Sequence, residues 1–195
     1  EMGIQLLDAC YLGPRQLNLR TARDIQTPED LAGVKLRMPG SDSWLFLGEA
    51  LGANPTPLPF GEVYLGLQTG TIDAQDNPLP TVEAAKFYEV TEQITLTSHL
   101  VDGLPMAVNN QTWEQLTDDE KAKMTEAAVA ACDWNNAERI ANEDRLVAFF
   151  EAEGLTVTTP DVEAFRTHVQ NFYLTSDRAA TWPEGWVDRI NELAP

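Results

Sequence analysis

The stretch VKLRMPGSDSWLFLGEALGANPTPLPFGEVYLGLQTGTIDAQDNPLP, residues 34–80, decides the fold. VKLRM alternates apolar and polar side chains and is closed by Pro39, so it reads as a short strand. Ser41 or Asp42 can cap the next segment, SWLFLGEAL, as a helix that Gly52 ends. NPTPLPF is extended, because its prolines exclude helix. GEVYLGLQ reads as a second helix stopped by Gly70, TIDAQ as a third strand and DNPLP as a loop. Strand–helix–strand–helix–strand predicts an α/β fold with a parallel sheet and crossover helices. In open sheets of this kind ligands bind outside the carboxyl ends of the strands. Arg37, Phe60 and Asn77 follow the three strands, so a cation, an aromatic face and an amide are expected on one rim.

Outward from this stretch, IQLLDACYLG reads as a strand and AAKFYEVTEQ as a helix. ITLTSHLV and LPMAVNN read as two strands around a turn at Asp102-Gly103. Thr117 and Glu120 form a T-x-x-E capping box, and no proline interrupts the chain before Gly154, a suitable residue for ending a helix. Met124, Ala127, Ala131, Trp134, Ala137 and Ala141 mark one apolar stripe; Ile140, Val147 and Phe150 mark another, turned around the helix. A continuous helix over 118–153 would be ~54 Å long. That exceeds the needs of one lobe of ~100 residues, whose radius of gyration is ~13 Å. Its change of apolar face predicts packing on two bodies in turn; two helices broken near DWNNAE are the alternative. LTVTT reads as a strand, PDVEAFRTHVQNFYL as a helix, and PEGWVDRINEL as a terminal helix with Pro183 at its start.

The chain has 195 residues, 43% of them hydrophobic, enough to bury a real core. A formal net charge of −18 argues against nucleic acid and anionic membranes as partners. The cations Arg15, Arg20, Arg23, Lys35 and Arg37 are concentrated in the first 37 residues; Arg20 and Arg23 are expected to form surface ion pairs. No run approaches the ~18 apolar residues of a transmembrane helix. The chain opens directly into a strand, which suggests a processed protein or a fragment. Cys10 and Cys132 have no metal or redox spacing and read as buried free thiols, with a disulfide as the alternative in an oxidising compartment.

Signatures of chemistry are missing: no phosphate-binding loop, dinucleotide fingerprint, H-E-x-x-H, C-x-x-C or nucleophile elbow occurs. No cofactor or metal is expected. His99 and His168 read as structural, and Glu62, Asp73 and Asp76 as a helix-start carboxylate and loop residues rather than acid–base groups. The arginines stand apart, because a guanidinium offers a planar fork that matches a carboxylate. Arg37, with Lys35 on the same strand face, reads either as a ligand clamp or as a structural ion pair.

GVKLRMP, LGANPTPLPFGEVY and LQTGTIDAQDNP, with YLGPRQL and AAKFYEVT, closely resemble the substrate-binding proteins of TRAP (tripartite ATP-independent periplasmic) transporters, and the likeness spans essentially the whole chain. The resemblance implies a two-lobed periplasmic binding fold with a long lobe-spanning helix, closing on an organic acid such as a C4-dicarboxylate, a sialic acid, a uronate or another sugar acid. It implies that Arg37 holds the carboxylate, that Arg15 is a second contact, and that Phe60 and Asn77 line the site. Gly40 stands where some relatives carry a polar ligand-binding side chain. QDN replaces the more frequent Q-E-N, and two extra residues separate Arg15 from Arg37. Relatives carry a further segment before IQLLDACYLG, so the first lobe is expected to be incomplete. Residues 15–102 and 143–195 would form the second lobe, 1–14 and 103–142 the crossing segments and the rest of the first. The implied role is periplasmic, non-enzymatic capture of an organic acid for the membrane permease subunits, with self-association if the chain is truncated. A periplasmic enzyme acting on small acids is the alternative, and a ligand sensor for a signalling receptor a third reading.

Overall fold

In a computed structural model of the chain, residues 2–192 are described, the side chain of Asp144 apart. Six strands form one mixed sheet in the order β3-β2-β4-β1-β5-β6. They are β1 (Ile4–Leu19), β2 (Lys35–Met38), β3 (Asn54–Pro57), β4 (Ala74–Pro78), β5 (Gln93–Asn109) and β6 (Thr156–Thr158). The expected parallel unit is present: β2 pairs in parallel with β3 and β4, through crossovers carrying α1 (Asp42–Ala50) and α2 (Val63–Thr69). It is only part of the sheet, because β1 runs antiparallel to both β4 and β5. α3 (Leu79–Ala84), α4 (Asn110–Glu114), α5 (Asp118–Ala152), α6 (Val162–Leu174) and α7 (Trp186–Glu192) complete the order.

Both faces of the sheet are covered, as a sheet with crossover helices requires. On one face Leu17, Leu19, Leu36 and Met38 pack with Leu47 and Leu51 of the α1 segment and Phe165 of α6. On the other, Val63 and Leu67 of α2 pack with Val82, Ile94, Leu146 and Phe150. Each fully buried leucine contributes roughly 1.5–3 kcal/mol of apolar transfer free energy. Gly52, at φ +85°, ends the α1 segment, and a Cβ there would collide with the backbone oxygen of Pro28.

Several expectations are corrected. Asp102-Gly103 is not a turn: β5 runs for 17 residues because β1 pairs with it on both sides of that dipeptide, from Leu100 to Asn109 and again over Gln93 to Thr95. AAKFYEVTEQ is not one helix, since α3 ends at Ala84, Lys86 adopts φ +56°, and Gln93 already belongs to β5. DNPLP is not a loop: Asp76, Asn77 and Pro78 finish β4, and Leu79 opens α3. The terminal helix begins at Trp186 rather than Pro183, and its expected last residue, Leu193, lies outside the described residues. No ion pair of Arg20 or Arg23 occurs among the described residues.

α5 is continuous for 35 residues, ~53 Å, with the Thr117–Glu120 capping box formed; there is no break at DWNNAE. Its inward face differs from the expected stripe. Ala131, Trp134, Ala137 and Ala141 are exposed, while Ala128 and Cys132 are buried and Asn135, Asn136 and Arg139 turn toward β1. The cysteines are not free thiols: Cys132 is disulfide-bonded to Cys10, because α5 crosses β1 at that point. Next to this bond the β1–β5 ladder is irregular between Tyr11 and Gly13. The freed backbone groups are taken by α5: Tyr11 N donates to Asn136 Oδ1 at 2.7 Å, Asn135 Nδ2 to Tyr11 O at 2.8 Å, and Arg139 Nη1 to Leu12 O at 3.0 Å. Glycine fits at position 13, where φ is +115° and a Cβ would lie 3.3 Å from Pro78.

Candidate functional site

Arg37 lies one residue before the end of β2, paired with Thr56 of β3 and Gln75 of β4. Its side chain is enclosed by β3 and the chain beyond it: Nε donates to Leu58 O at 2.8 Å, and the guanidinium sits 5.9 Å from the Phe60 ring. Phe60 is half-exposed and leans on buried Phe87, ring centroids 5.7 Å apart. Arg37 is only 4% exposed, yet it forms no ion pair among the described residues. Its Nη1 and Nη2 have no hydrogen-bond partner there, and no fully buried side-chain nitrogen or oxygen goes unpartnered, so both nitrogens reach the surface. Burial lowers the pKa of the guanidinium, Asp76 opposes that, and the charge of Arg15 adds to it. An arginine remains charged even so. The result is a largely desolvated cation with no anion bonded to it among the described residues.

Arg15, in β1, has the opposite character. Nε donates to Asp76 Oδ2 at 2.6 Å, Nη2 to Asp76 O at 2.5 Å, and Nη1 to Asp102 Oδ2 at 2.9 Å. The Trp44 ring covers the guanidinium at 4.5 Å. Asp76 is fully buried. Burial alone would raise its pKa, but His99 Nε2, 3.2 Å away, and the charge and hydrogen bonds of Arg15 outweigh burial and hold it at about 2. His99 Nδ1 is in turn 2.7 Å from Thr97 Oγ1. Sequence reasoning placed Asp76 in a loop and missed this ion pair; the register that sets Leu17 opposite Asp76, two residues from Arg15, creates it.

Asn77 is 5% exposed and ends a row of buried amides. Asn77 Nδ2 donates to Gln75 Oε1 at 2.6 Å, Gln75 Nε2 to Asn18 Oδ1 at 3.1 Å, and Asn18 Nδ2 to the main-chain oxygen of Gln93 at 3.1 Å. A carbonyl only accepts, so Gln93 fixes the direction of the whole row. Asn77 is left with its Oδ1 and one N–H uncommitted among the described residues. Gly40, just beyond β2, is exposed, and a Cβ there would meet open space. Lys35 is not part of this group: its Nζ donates to Gly70 O at 2.8 Å, at the opposite end of β2. The structure thus brings Arg37 and Phe60 into contact and Arg15 close enough to influence Arg37. Concavities of about 520 Å³ beside Phe46 and Trp182, about 420 Å³ between β5 and α6, and about 370 Å³ beside Arg20 and Thr91 are lined by neither Arg37 nor Asn77.

Residues 1–178 match the family model for bacterial extracellular solute-binding protein family 7 (DctP), and the chain belongs to that family. It is 39% identical over 171 residues to the sialic acid-binding periplasmic protein SiaP of Vibrio cholerae, covering 88% of this chain and 53% of that protein. It is 32% identical over 148 residues to the 2,3-diketo-L-gulonate-binding periplasmic protein YiaO of Escherichia coli, covering 75% and 45%. The chain spans about half the length of these curated relatives. Among solved structures, a TRAP periplasmic solute-binding protein from Roseobacter denitrificans with bound 3-deoxy-D-manno-oct-2-ulosonic acid (Kdo) superposes with a TM-score of 0.95. It is 52% identical, and the match covers all of this chain and 65% of that one. A TRAP protein from Sulfitobacter with bound β-D-galacturonate gives a TM-score of 0.83 at 27% identity, covering 92% and 60%. The family consists of solute-binding proteins.

Proposed function

We propose that the protein is the periplasmic binding component of a TRAP-type transporter and captures an organic acid, a sugar acid or C4-dicarboxylate, without chemical turnover. The observation that carries this reading is Arg37: a cation nearly removed from water, at a strand end, with no carboxylate bonded to it among the described residues. Desolvating a charge without a partner is costly, and a ligand carboxylate accepting from Nη1 and Nη2 would supply the missing anion. Phe60 offers an apolar face beside it. Asn77 offers an acceptor and a donor, Arg15 its one uncommitted Nη1 N–H, and Gly40 leaves room. Sugar acids recur among the ligands of relatives: a sialic acid and 2,3-diketo-L-gulonate by name, and Kdo and galacturonate bound in similar structures, while other similar proteins take ectoine, sn-glycerol-3-phosphate or pantoate.

In this reading residues 15–102 and 143–195 form one lobe, and 1–14 with 103–142 belong to the other. The exposed Leu6, Leu104, Trp134 and Ile140 would be covered by the rest of that lobe and would favour self-association if left bare. Delivery to membrane permease subunits completes the role. A thermal-shift panel of sugar acids, dicarboxylates, amino acids and neutral sugars on the natural full-length protein tests the reading. Acids should raise the melting temperature; stabilisation by neutral sugars alone would refute it.

A further inference from the structure

The two arginines of the proposed site carry the same formal charge, but their surroundings differ. Arg15 is held by two carboxylates, Asp76 at 2.6 Å and Asp102 at 2.9 Å, so this group of three carries a net negative charge. Four of its five N–H groups are engaged, two of them by Nη2 on Asp76 O and Oδ1. Arg37 has no carboxylate bonded to it among the described residues. Asp102 stands opposite Gly13 in the β1–β5 ladder, and its side chain is 23% exposed, so it faces solvent while it pairs with Arg15. A second ligand carboxylate reaching toward Arg15 would therefore approach two aspartates as well as one arginine. A hydroxyl there would instead accept the spare Nη1 N–H, and another could donate to Asn77 Oδ1.

We infer that Asp102 is a specificity-determining residue that cancels the charge of Arg15, so that the site takes a monocarboxylate bearing hydroxyls and disfavours a dicarboxylate. This rests on the reading of Arg37 as the carboxylate clamp and narrows it. Like charges in a partly dehydrated cleft repel strongly enough to matter at this range, since the effective dielectric constant is far below that of water. Asparagine at 102 would keep the shape and a hydrogen-bond acceptor while removing one negative charge.

The test is calorimetric titration of the natural full-length protein and of Asp102→Asn with Kdo, L-galactonate, galactarate and succinate. L-Galactonate and galactarate share a six-carbon polyhydroxy chain and differ in whether the far end is an alcohol or a carboxylate. At least one monocarboxylate should bind, at least 10-fold more tightly than either dicarboxylate. Asp102→Asn should shrink that ratio about 10-fold by improving the dicarboxylates. Equal or tighter binding of galactarate or succinate to the unmodified protein overturns the inference and leaves the acid-binding reading standing. So does an unchanged ratio in Asp102→Asn whose melting curve matches the parent. If no acid binds, the acid-binding reading falls and takes the inference with it.

Discussion

Replacing Asp76 by asparagine removes the anion that holds both Arg15 and His99. Arg15 is 5% exposed at its side chain and Asp76 not at all, so neither can turn to water for compensation. Breaking such a buried pair costs about 3–5 kcal/mol. Asp102 still holds Nη1, which favours the lower end. A second route gives a similar size. The carboxyl of Asp76 falls from an ordinary 3.8 to about 2 in the folded protein, worth ~2.5 kcal/mol at 1.36 kcal/mol per unit. Because the folded value is the lower one, this stabilisation is present above pH ~4 and is lost as pH falls toward 2. Urea unfolding at neutral pH should therefore show Asp76→Asn to be about 2–4 kcal/mol less stable. The parent should lose stability between pH 4 and 2 more steeply than the variant. A variant within ~0.5 kcal/mol of the parent, with the same acid slope, would refute the account of the Arg15 cluster.

Two further predictions concern the frame. The Cys10–Cys132 bond closes a loop of sequence separation 122. A Cys10→Ser, Cys132→Ser double variant should unfold about 2–5 kcal/mol more easily; a melting curve identical to that of the parent would show that α5 is held to β1 by the Asn135, Asn136 and Arg139 hydrogen bonds alone. Gly52→Ala should destabilise by more than the ~1 kcal/mol typical of point variants, since it places a Cβ at φ +85° against Pro28 O; neutral behaviour in urea would contradict that geometry.

Much of the parallel part of the sheet is legible because its signals are local. Proline spacing, helix ends at Gly52 and Gly70, and alternation in VKLRM act within a few residues and set β2, β3, α1 and α2. The capping box of α5 is equally local. What escaped depends on partners distant in sequence. Asp102-Gly103 has turn chemistry, yet β1 zips along both sides of it and holds the backbone extended. Asp76 and Asn77 sit in a dipeptide usual in loops, and only pairing with β1 turns them into a buried ion pair and the end of an amide row. Gln16, Asn18 and Gln75 are polar residues that a period-two reading assigns to solvent; they are buried because each finds a partner distant in sequence, Gln16 in Ser98 and Asn18 in Gln75. The apolar stripe through Trp134 predicts the packing face of α5, but the sheet is contacted by the adjoining face, where a cysteine and two asparagines reach β1. Arg37 lies on β2 as its sequence pattern predicts, and the absence of a carboxylate bonded to it among the described residues is the feature that no local pattern reveals.

In the proposed function Arg37 waits for the ligand's carboxylate. Titrating Kdo, or whichever acid the thermal panel selects, into the full-length protein and into Arg37→Ala and Arg37→Lys tests it most directly. Arg37→Ala should bind about 2–5 kcal/mol more weakly, roughly 30-fold to several-thousand-fold. Arg37→Lys, which keeps the charge but loses the planar fork, should recover only part of that. Both variants should melt near the parent without ligand, because among the described residues the Arg37 side chain makes one hydrogen bond, to Leu58 O, beside its contact with the half-exposed Phe60 ring. Unchanged affinity in Arg37→Ala, or a large loss of ligand-free stability, would contradict the assignment.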